Sequence, residues 1–346
     1  MTLLYFILVL GVTVFIHELG HFIFAKRAGI YVYEFALGMG PKLFKFKRKN
    51  DETVYSIRLL PIGGYVQMAG EEIEVDDNIP MDRRMQSKGW WQRFLTIIAG
   101  VLFNFILAII LLFTVAMING APESKPYIGV IDSNYPIAQT ELQSGDLITK
   151  INGIKVGSVD RLVLELQINT GKEINIQTKD SSGNIKNVKV SPVKEEIDGT
   201  EYYRYGFSLS NDIDKGIIPS IKYAFVKTGN LIEQMFLIIG ALVTGKLSLN
   251  NLAGPVGIFN IVGESAKAGF VNLIYLIGFL SINVGFINLL PIPAFDGGRL
   301  LFLIIEKIMR KPINPKVENI IHTVGFVFLM SLMIIITYND ILCLFK

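Results

Sequence analysis

The sequence predicts a polytopic α-helical membrane protein with four transmembrane helices, a membrane-associated β-hairpin region and an inserted extracytoplasmic α+β domain. Three observations predict this class. The first is composition: of 346 residues, 51% are hydrophobic and only 18% are charged, with a mean hydropathy of +0.45. Soluble domains sit near ~45–50% apolar and about 25% charged. The second is four long apolar runs, each close to the roughly 20 residues that cross a bilayer. The third is the uneven placement of lysine and arginine around those runs. The same composition excludes a disordered chain. A net charge of +3 gives no support to a nucleic-acid partner. The single cysteine, Cys343, excludes an internal disulfide framework and a cysteine-rich zinc cluster.

The first run is Thr2 to Ala25, whose one acid is Glu18. It has no basic residue before it, and Lys26 and Arg27 follow it, so it reads as a retained span rather than a cleaved signal peptide. The second is Phe94 to Ile118, the third Phe270 to Phe295 with Pro291 and Pro293 near its end, and the fourth about Asn319 to Asn339. Between runs one and two lie twelve lysines and arginines, from Lys26 to Arg93. Between runs three and four lie Arg299, Lys307, Arg310, Lys311 and Lys316. Basic loops stay in the cytoplasm, so both termini are expected outside. The long 119–269 segment is also basic, but loops of that length translocate largely regardless of charge. Within it, Met235 to Thr244 is apolar but only half a span long, so 217–250 reads as an amphipathic segment lying on the outer membrane face.

Between runs one and two, Val32 to Leu37, Lys42 to Phe46, Thr53 to Leu59 and Tyr65 to Met68 read as short strands. Breaks are expected at Lys49-Asn50-Asp51-Glu52 and Pro61-Ile62-Gly63-Gly64. Acidic residues 71–77 read as a solvated loop. Between runs two and three, 125–195 alternates like a compact domain. Strands are expected at Tyr127 to Ile131, Leu147 to Ile151, Ile174 to Thr178 and Val188 to Val190, with a helix at Val159 to Ile168 and a hairpin turn at Asn152-Gly153. The expected boundaries are 1–119, 120–200, 201–269 (linker and interfacial segment) and 270–346.

The chemistry is carried by His17-Glu18-Leu19-Gly20-His21. On a helix the two imidazoles, four residues apart, share a face and can hold one metal, and the glutamate between them can activate water. Two of the chain's three histidines and an acid lie inside an apolar run, where they need a shared partner such as a cation. A catalytic zinc takes three protein ligands and leaves one position open. Glu306 and His322 are candidates for the third. Asp296 is the better one, because it follows a span broken by Pro291 and Pro293 and precedes Gly297-Gly298. Irregular backbone with an acid at membrane depth marks a functional site. The histidines lie late in run one and Asp296 ends run three. Both reach the cytoplasmic side only with four spans; a crossing by 235–244 would separate them.

These residues resemble the bacterial site-2 proteases, the intramembrane zinc metalloproteases that include the regulator-of-sigma-E proteases. The resemblance covers nearly the whole chain. It rests on His17-Glu18-Leu19-Gly20-His21, Leu60-Pro61-Ile62-Gly63-Gly64-Tyr65-Val66, Phe103-Asn104-Phe105, Gly254-Pro255-Val256-Gly257-Ile258 and Asn288…Pro291…Pro293…Asp296-Gly297. Gly145-Asp146-Leu147-Ile148…Ile151-Asn152-Gly153 resembles the core of a PDZ domain, a fold that binds extended chains by strand addition. Phe295 stands where many relatives have leucine, a conservative change, and one PDZ-like domain fits where some relatives carry two.

The resemblance implies one Zn2+ held by His17, His21 and Asp296, with Glu18 as base, and substrate handled by Asn288, Gly63, Gly64 and Asn104. It implies a multi-pass protein of the bacterial plasma membrane, with its active site towards the cytoplasm. It would cut single-span membrane proteins such as anti-sigma factors or signal-peptide remnants, and its PDZ-like domain would take a peptide ligand. Two other classes compete. A metal transporter would need more polar residues along the spans than Asn104 and His322 supply. A non-catalytic PDZ receptor does not need the intact Glu18.

Overall fold

The computed structural model describes residues 1–71, 78–197, 200–247, 253–311 and 313–344. Except for Glu71, the acidic 71–77 loop lies outside the described residues. The chain divides into two compact units, Met1–Leu111 with Leu249–Lys346, and Leu112–Ser248.

In the first unit each of the four apolar runs is a helix: α1 (Thr2–Arg27), α2 (Trp90–Asn119, which continues into the second unit), α6 (Phe270–Leu289) and α8 (Pro315–Leu344). A helix satisfies every backbone group within itself, which an apolar run in lipid requires. The shortest, α6, has 20 residues and at 1.5 Å per residue still covers about 30 Å. α2 runs antiparallel to α1. His21 meets Thr96, Gly20 packs on the Ala99 carbonyl, and Leu107 and Leu111 join Tyr5, Phe6 and Val9 in one apolar cluster. α6 runs parallel to α1: Leu273, Leu276 and Ile277 enter that same cluster, and the chain after its C-terminal end reaches His17 and His21. α5 (Pro255–Ala268) also lies at the Tyr5–Val9 end, with Val262 in the cluster and Gly263 against Thr2. Its first turn is tied to the far end of α8, where Asp340 accepts from the backbone N–H of Gly254 (3.2 Å) and Gly257 (2.8 Å). The chain therefore leaves and re-enters this unit at the same end.

The loop after α1 forms a two-stranded antiparallel sheet, β1 (Val32–Lys47) with β2 (Val54–Met68). The strands are longer than expected. β2 passes through Pro61-Ile62-Gly63-Gly64 without ending, and register shifts absorb the irregularity. One end of the hairpin packs on the helices through Val32, Phe35, Val66 and Met68. The other presents Leu43, Phe44, Phe46, Ile57, Leu59 and Leu60 outward. Lys26 at the end of α1 bridges Glu52 (2.9 Å) and Asp51 (3.2 Å). Burial works to raise the Glu34 pKa, but contacts from Ser56, Lys42, Arg58 and Tyr65 outweigh it and hold the carboxyl at about 2. Glu34 thus fastens β1 to β2 through its contacts with Ser56 and Arg58 of β2.

In the second unit the predicted strands and helix form as β4 (Ile128–Ile131), β5 (Leu147–Ile151), α3 (Val159–Ile168), β7 (Ile174–Lys179) and β8 (Ile185–Val190). β5, β7 and β8 join β6 (Ile154–Lys155) in a sheet of order β6-β5-β7-β8, and Leu162 of α3 packs with its Ile148, Ile151, Ile174 and Ile176 in one core. Residues 201–216, expected as linker, complete this unit instead. β9 (Val193–Ile197) pairs with β10 (Thr200–Arg204), β11 (Phe207–Leu209) with β4, and β12 (Ile213–Asp214) with β3 (Ala121–Pro122). In β11, β12 and β3, strands of two or three residues paired with segments about eighty or more residues away leave too short a local pattern to be read ahead of time.

The segment expected as interfacial is α4 (Ile217–Val243), one continuous helix of 27 residues. By length and composition it joins the other four as a fifth helix able to cross a membrane. Polar residues in its first half hid its length from a reading that followed only the apolar run at 235–244. Ser220, Ala224, Thr228 and Leu231 are buried along one face, and Lys227 reaches Asp160 on α3 at 2.5 Å.

Candidate metal centre

The periodicity of α1 puts Thr13, His17, Gly20 and His21 on its buried face. His17 and His21 are 8% and 7% exposed. Their Nε2 atoms lie 3.2 Å apart. Asp296 Oδ2 completes a triangle, 3.2 Å from each. This carboxylate oxygen is buried and accepts no hydrogen bond among the described residues. For a metal with bonds of 2.0–2.2 Å, a tetrahedral site sets its donors about 3.3 Å apart. The triangle fits zinc, and the unsatisfied oxygen sits where a cation would meet it.

Close packing brings Asp296 there. α6 stops at Leu289; Leu290 turns to extended backbone, and Pro291 follows without an N–H to donate. The chain then folds back so that α7 (Asp296–Met309) starts against it. A side chain at Gly297 would strike the carbonyls of Leu289 and Leu290. Ala294 has a φ of 81°, costly for a residue with a Cβ, and its N–H donates to His322 Nδ1 at 2.9 Å. The third histidine thus braces the aspartate loop and is not part of the triangle. Glu306 is also elsewhere, paired with Arg93 (2.8 Å) and accepting from Ile313 N–H (3.1 Å). Of the three residues weighed for the third position, Asp296 is the one brought to the histidines.

Both imidazoles are oriented from behind. His21 Nδ1 donates to the Thr96 carbonyl at 2.8 Å, which leaves Nε2 with a free lone pair for a metal. His17 Nδ1 lies 3.3 Å from the side-chain amide of Asn104. Asn104, expected against substrate, is fully buried on α2 and holds the histidine. The other end of the amide, Oδ1, is buried without a partner. A half-turn of the amide lets Oδ1 accept the Nδ1 proton, the arrangement a metal on Nε2 requires. Gly100, one turn before Asn104, lets α2 approach: a Cβ there would collide with the rings of both histidines. The four-residue spacing of Gly100 and Asn104 puts them on one face, but that this face meets His17 and His21 appears only when α1 and α2 cross. Asn104→Ala is expected to weaken zinc binding about 10–100-fold, the usual cost of losing such a support, read by competition with a chromophoric chelator.

Glu18 lies beside the triangle with its Cγ against Gly64 of β2, where a Cβ would come within 3.0 Å. Gly63 adopts a φ of 80° and Gly64 pairs with Leu37, so the strand passes closely over the acid. Asn288, in the last turn of α6, is half-buried.

The sequence matches the profile of Peptidase family M50 over residues 5–332. The chain belongs to this family. The resemblance read from the sequence is borne out, and with it the expectation of a peptidase. Among M50 relatives, zinc metalloprotease RasP of Bacillus licheniformis is 37% identical over 422 aligned positions, covering 99% of each chain. The regulator of sigma-W protease RasP of Bacillus subtilis is 36% identical, again covering 99% of each. A putative zinc metalloprotease of Clostridium acetobutylicum, CA_C1796, is 39% identical over 336 positions, covering 97% of this chain and 96% of its own length. The alignments with the two Bacillus M50 proteins are longer than the 346 residues here, so those relatives carry insertions relative to this chain.

Proposed function

We propose that this M50 peptidase is an intramembrane zinc endopeptidase that hydrolyses peptide bonds within single-span membrane proteins. The observation that carries the reading is the 3.2 Å triangle of His17, His21 and Asp296 beside Glu18 on a membrane-type helix. When bound, zinc supplies Lewis acidity towards a carbonyl oxygen and makes water more acidic. Glu18 takes the proton of the attacking water and returns it to the leaving amine, so water adds across the C–N bond and two new termini result. Asn104 and the Thr96 carbonyl hold the imidazoles in the required tautomer. A helical substrate hides its peptide bonds in i to i−4 hydrogen bonds and must be unwound. Among the described residues the β1–β2 sheet has two strands, so an extended chain can add to it. Gly63 and Gly64 keep that approach to Glu18 free of side chains, and Asn288 at the end of α6 is a further contact. The name of the Bacillus subtilis relative supports anti-sigma factors as the substrate class. Purified protein incubated with labelled single-span substrates should cut them, and a zinc chelator should stop it; cutting that persists in chelator refutes the reading.

The proposed topology has four spans, with both termini outside and the metal end towards the cytoplasm. The basic loops support it. So does chain parity: the chain leaves the first unit after α2 and returns at α5 on the same end, which requires an even number of crossings between. A single crossing by α4 is odd, and an extended return through lipid would strand its backbone polar groups. A reporter fused after Lys49 is therefore expected to be cytoplasmic, and reporters after Ser181 and Gly245 external. A cytoplasmic reporter at Gly245 would make α4 a span.

Unit two reads as the PDZ-like domain. A cavity of about 690 Å3 between α3 and β11 is lined by Leu162, Leu166, Phe207 and Leu209. Tyr205-Gly206-Phe207 lies at one end of it, a place for an extended peptide paired with β11.

A further inference from the structure

A second cavity in the PDZ-like unit, also about 690 Å3, lies between the C-terminal end of α3 and the C-terminal half of α4. Part of its lining is apolar: Phe236, Leu237 and Ala241 of α4, with Ile168 of α3. The lining also includes three basic side chains, Arg161, Lys172 and Lys246. Glu165, the only acid lining it among the described residues, is already paired with Arg161 at 2.7 Å. Neither lysine has an ion-pair partner among the described residues, and Arg161 Nε is buried with none of its own. The pocket thus holds an excess of positive charge beside a hydrophobic helix. That helix continues outward as an exposed apolar face: Ile218 is 81% exposed, Phe225 and Phe236 60%, and Val243 83%.

We propose that this pocket binds the headgroup of an anionic phospholipid, with the acyl chains lying along Phe236 and Val243. A phosphodiester between Lys172 and Lys246 would receive charge-assisted hydrogen bonds, and the apolar lining receives the start of the chains. An acidic peptide would satisfy the lysines but not the apolar lining; a free phosphate would use only the cations. The lipid matches both parts of the lining. Such a site anchors the PDZ-like unit to the membrane surface and sets the height of its peptide groove above the bilayer. The orientation of α4 along the membrane rests on the four-span reading, but lipid binding itself does not depend on which leaflet supplies it.

The test uses the full chain purified in detergent. Native mass spectrometry would count adducts on titration with phosphatidylglycerol, with phosphatidylcholine as the neutral control and inorganic phosphate or an acidic peptide as competitor. Wild type is expected to retain phosphatidylglycerol in preference to phosphatidylcholine. The double variant K172Q/K246Q, which touches neither the metal triangle nor the substrate strand, is expected to lose about tenfold or more of that preference, with zinc content unchanged. Equal retention of phosphatidylglycerol by wild type and K172Q/K246Q overturns the proposal. So does displacement by phosphate or acidic peptide at concentrations comparable to the lipid. An internal reporter at Gly245 with intact, lysine-dependent lipid binding would instead fault the topology and leave the lipid site standing.

Discussion

Glu18→Gln protein is expected to bind one zinc per chain and to cut its substrate at least 10²-fold more slowly, the usual scale for loss of a general base. The amide keeps the size of the side chain and its polarity, so the contact with Gly64 survives. It cannot accept the proton of the attacking water. The metal triangle is untouched, since His17, His21 and Asp296 supply its three donor atoms and Glu18 none. Zinc content by elemental analysis and turnover on a labelled single-span substrate therefore separate cleanly. A Glu18→Gln protein that cuts at the wild-type rate removes the metalloprotease mechanism, and the transporter or receptor classes would return.

Much of the metal centre was legible in the sequence because its parts obey local rules. Two histidines four apart on an apolar helix must share a face, whatever that helix packs against. A span interrupted by two prolines and followed by Asp296-Gly297-Gly298 announces irregular backbone around an acid. The supports were not legible, because they depend on which helix faces cross. Asn104 stands out in the sequence within Phe103-Asn104-Phe105 but with a substrate role, and Gly100 carries no signal; only the close crossing at Gly20 and Ala99 turns both towards the imidazoles. His322 is a candidate ligand by sequence because histidine is scarce here. Its role in bracing Ala294 follows from the strained backbone of that residue, which the sequence does not display. The same limit applies to the fold. Strands of five or six residues with clear alternation were readable, whereas β11 and β12 are defined by partners about eighty or more residues away.

The largest loss of metal is expected from Asp296→Ala. With three protein ligands there is no redundancy, so removing one leaves two histidines, a much weaker site. Zinc should fall well below one per chain, and activity with it. His17→Ala and His21→Ala should behave alike. Glu306→Ala is the informative contrast, because sequence alone left it as a rival. In the structure its carboxylate is engaged by Arg93 and by the Ile313 N–H, near the opposite end of α7 from Asp296. Its loss should free Arg93 and lower the melting temperature while zinc stays bound. Zinc content and melting temperature measured on both variants read the two effects apart. Full zinc in Asp296→Ala with loss in Glu306→Ala would reverse the ligand assignment. Loss in both, with Glu306→Ala regaining zinc at low temperature, would still leave Asp296 as the ligand, since a metal site recovers with its fold only when none of its donors is missing.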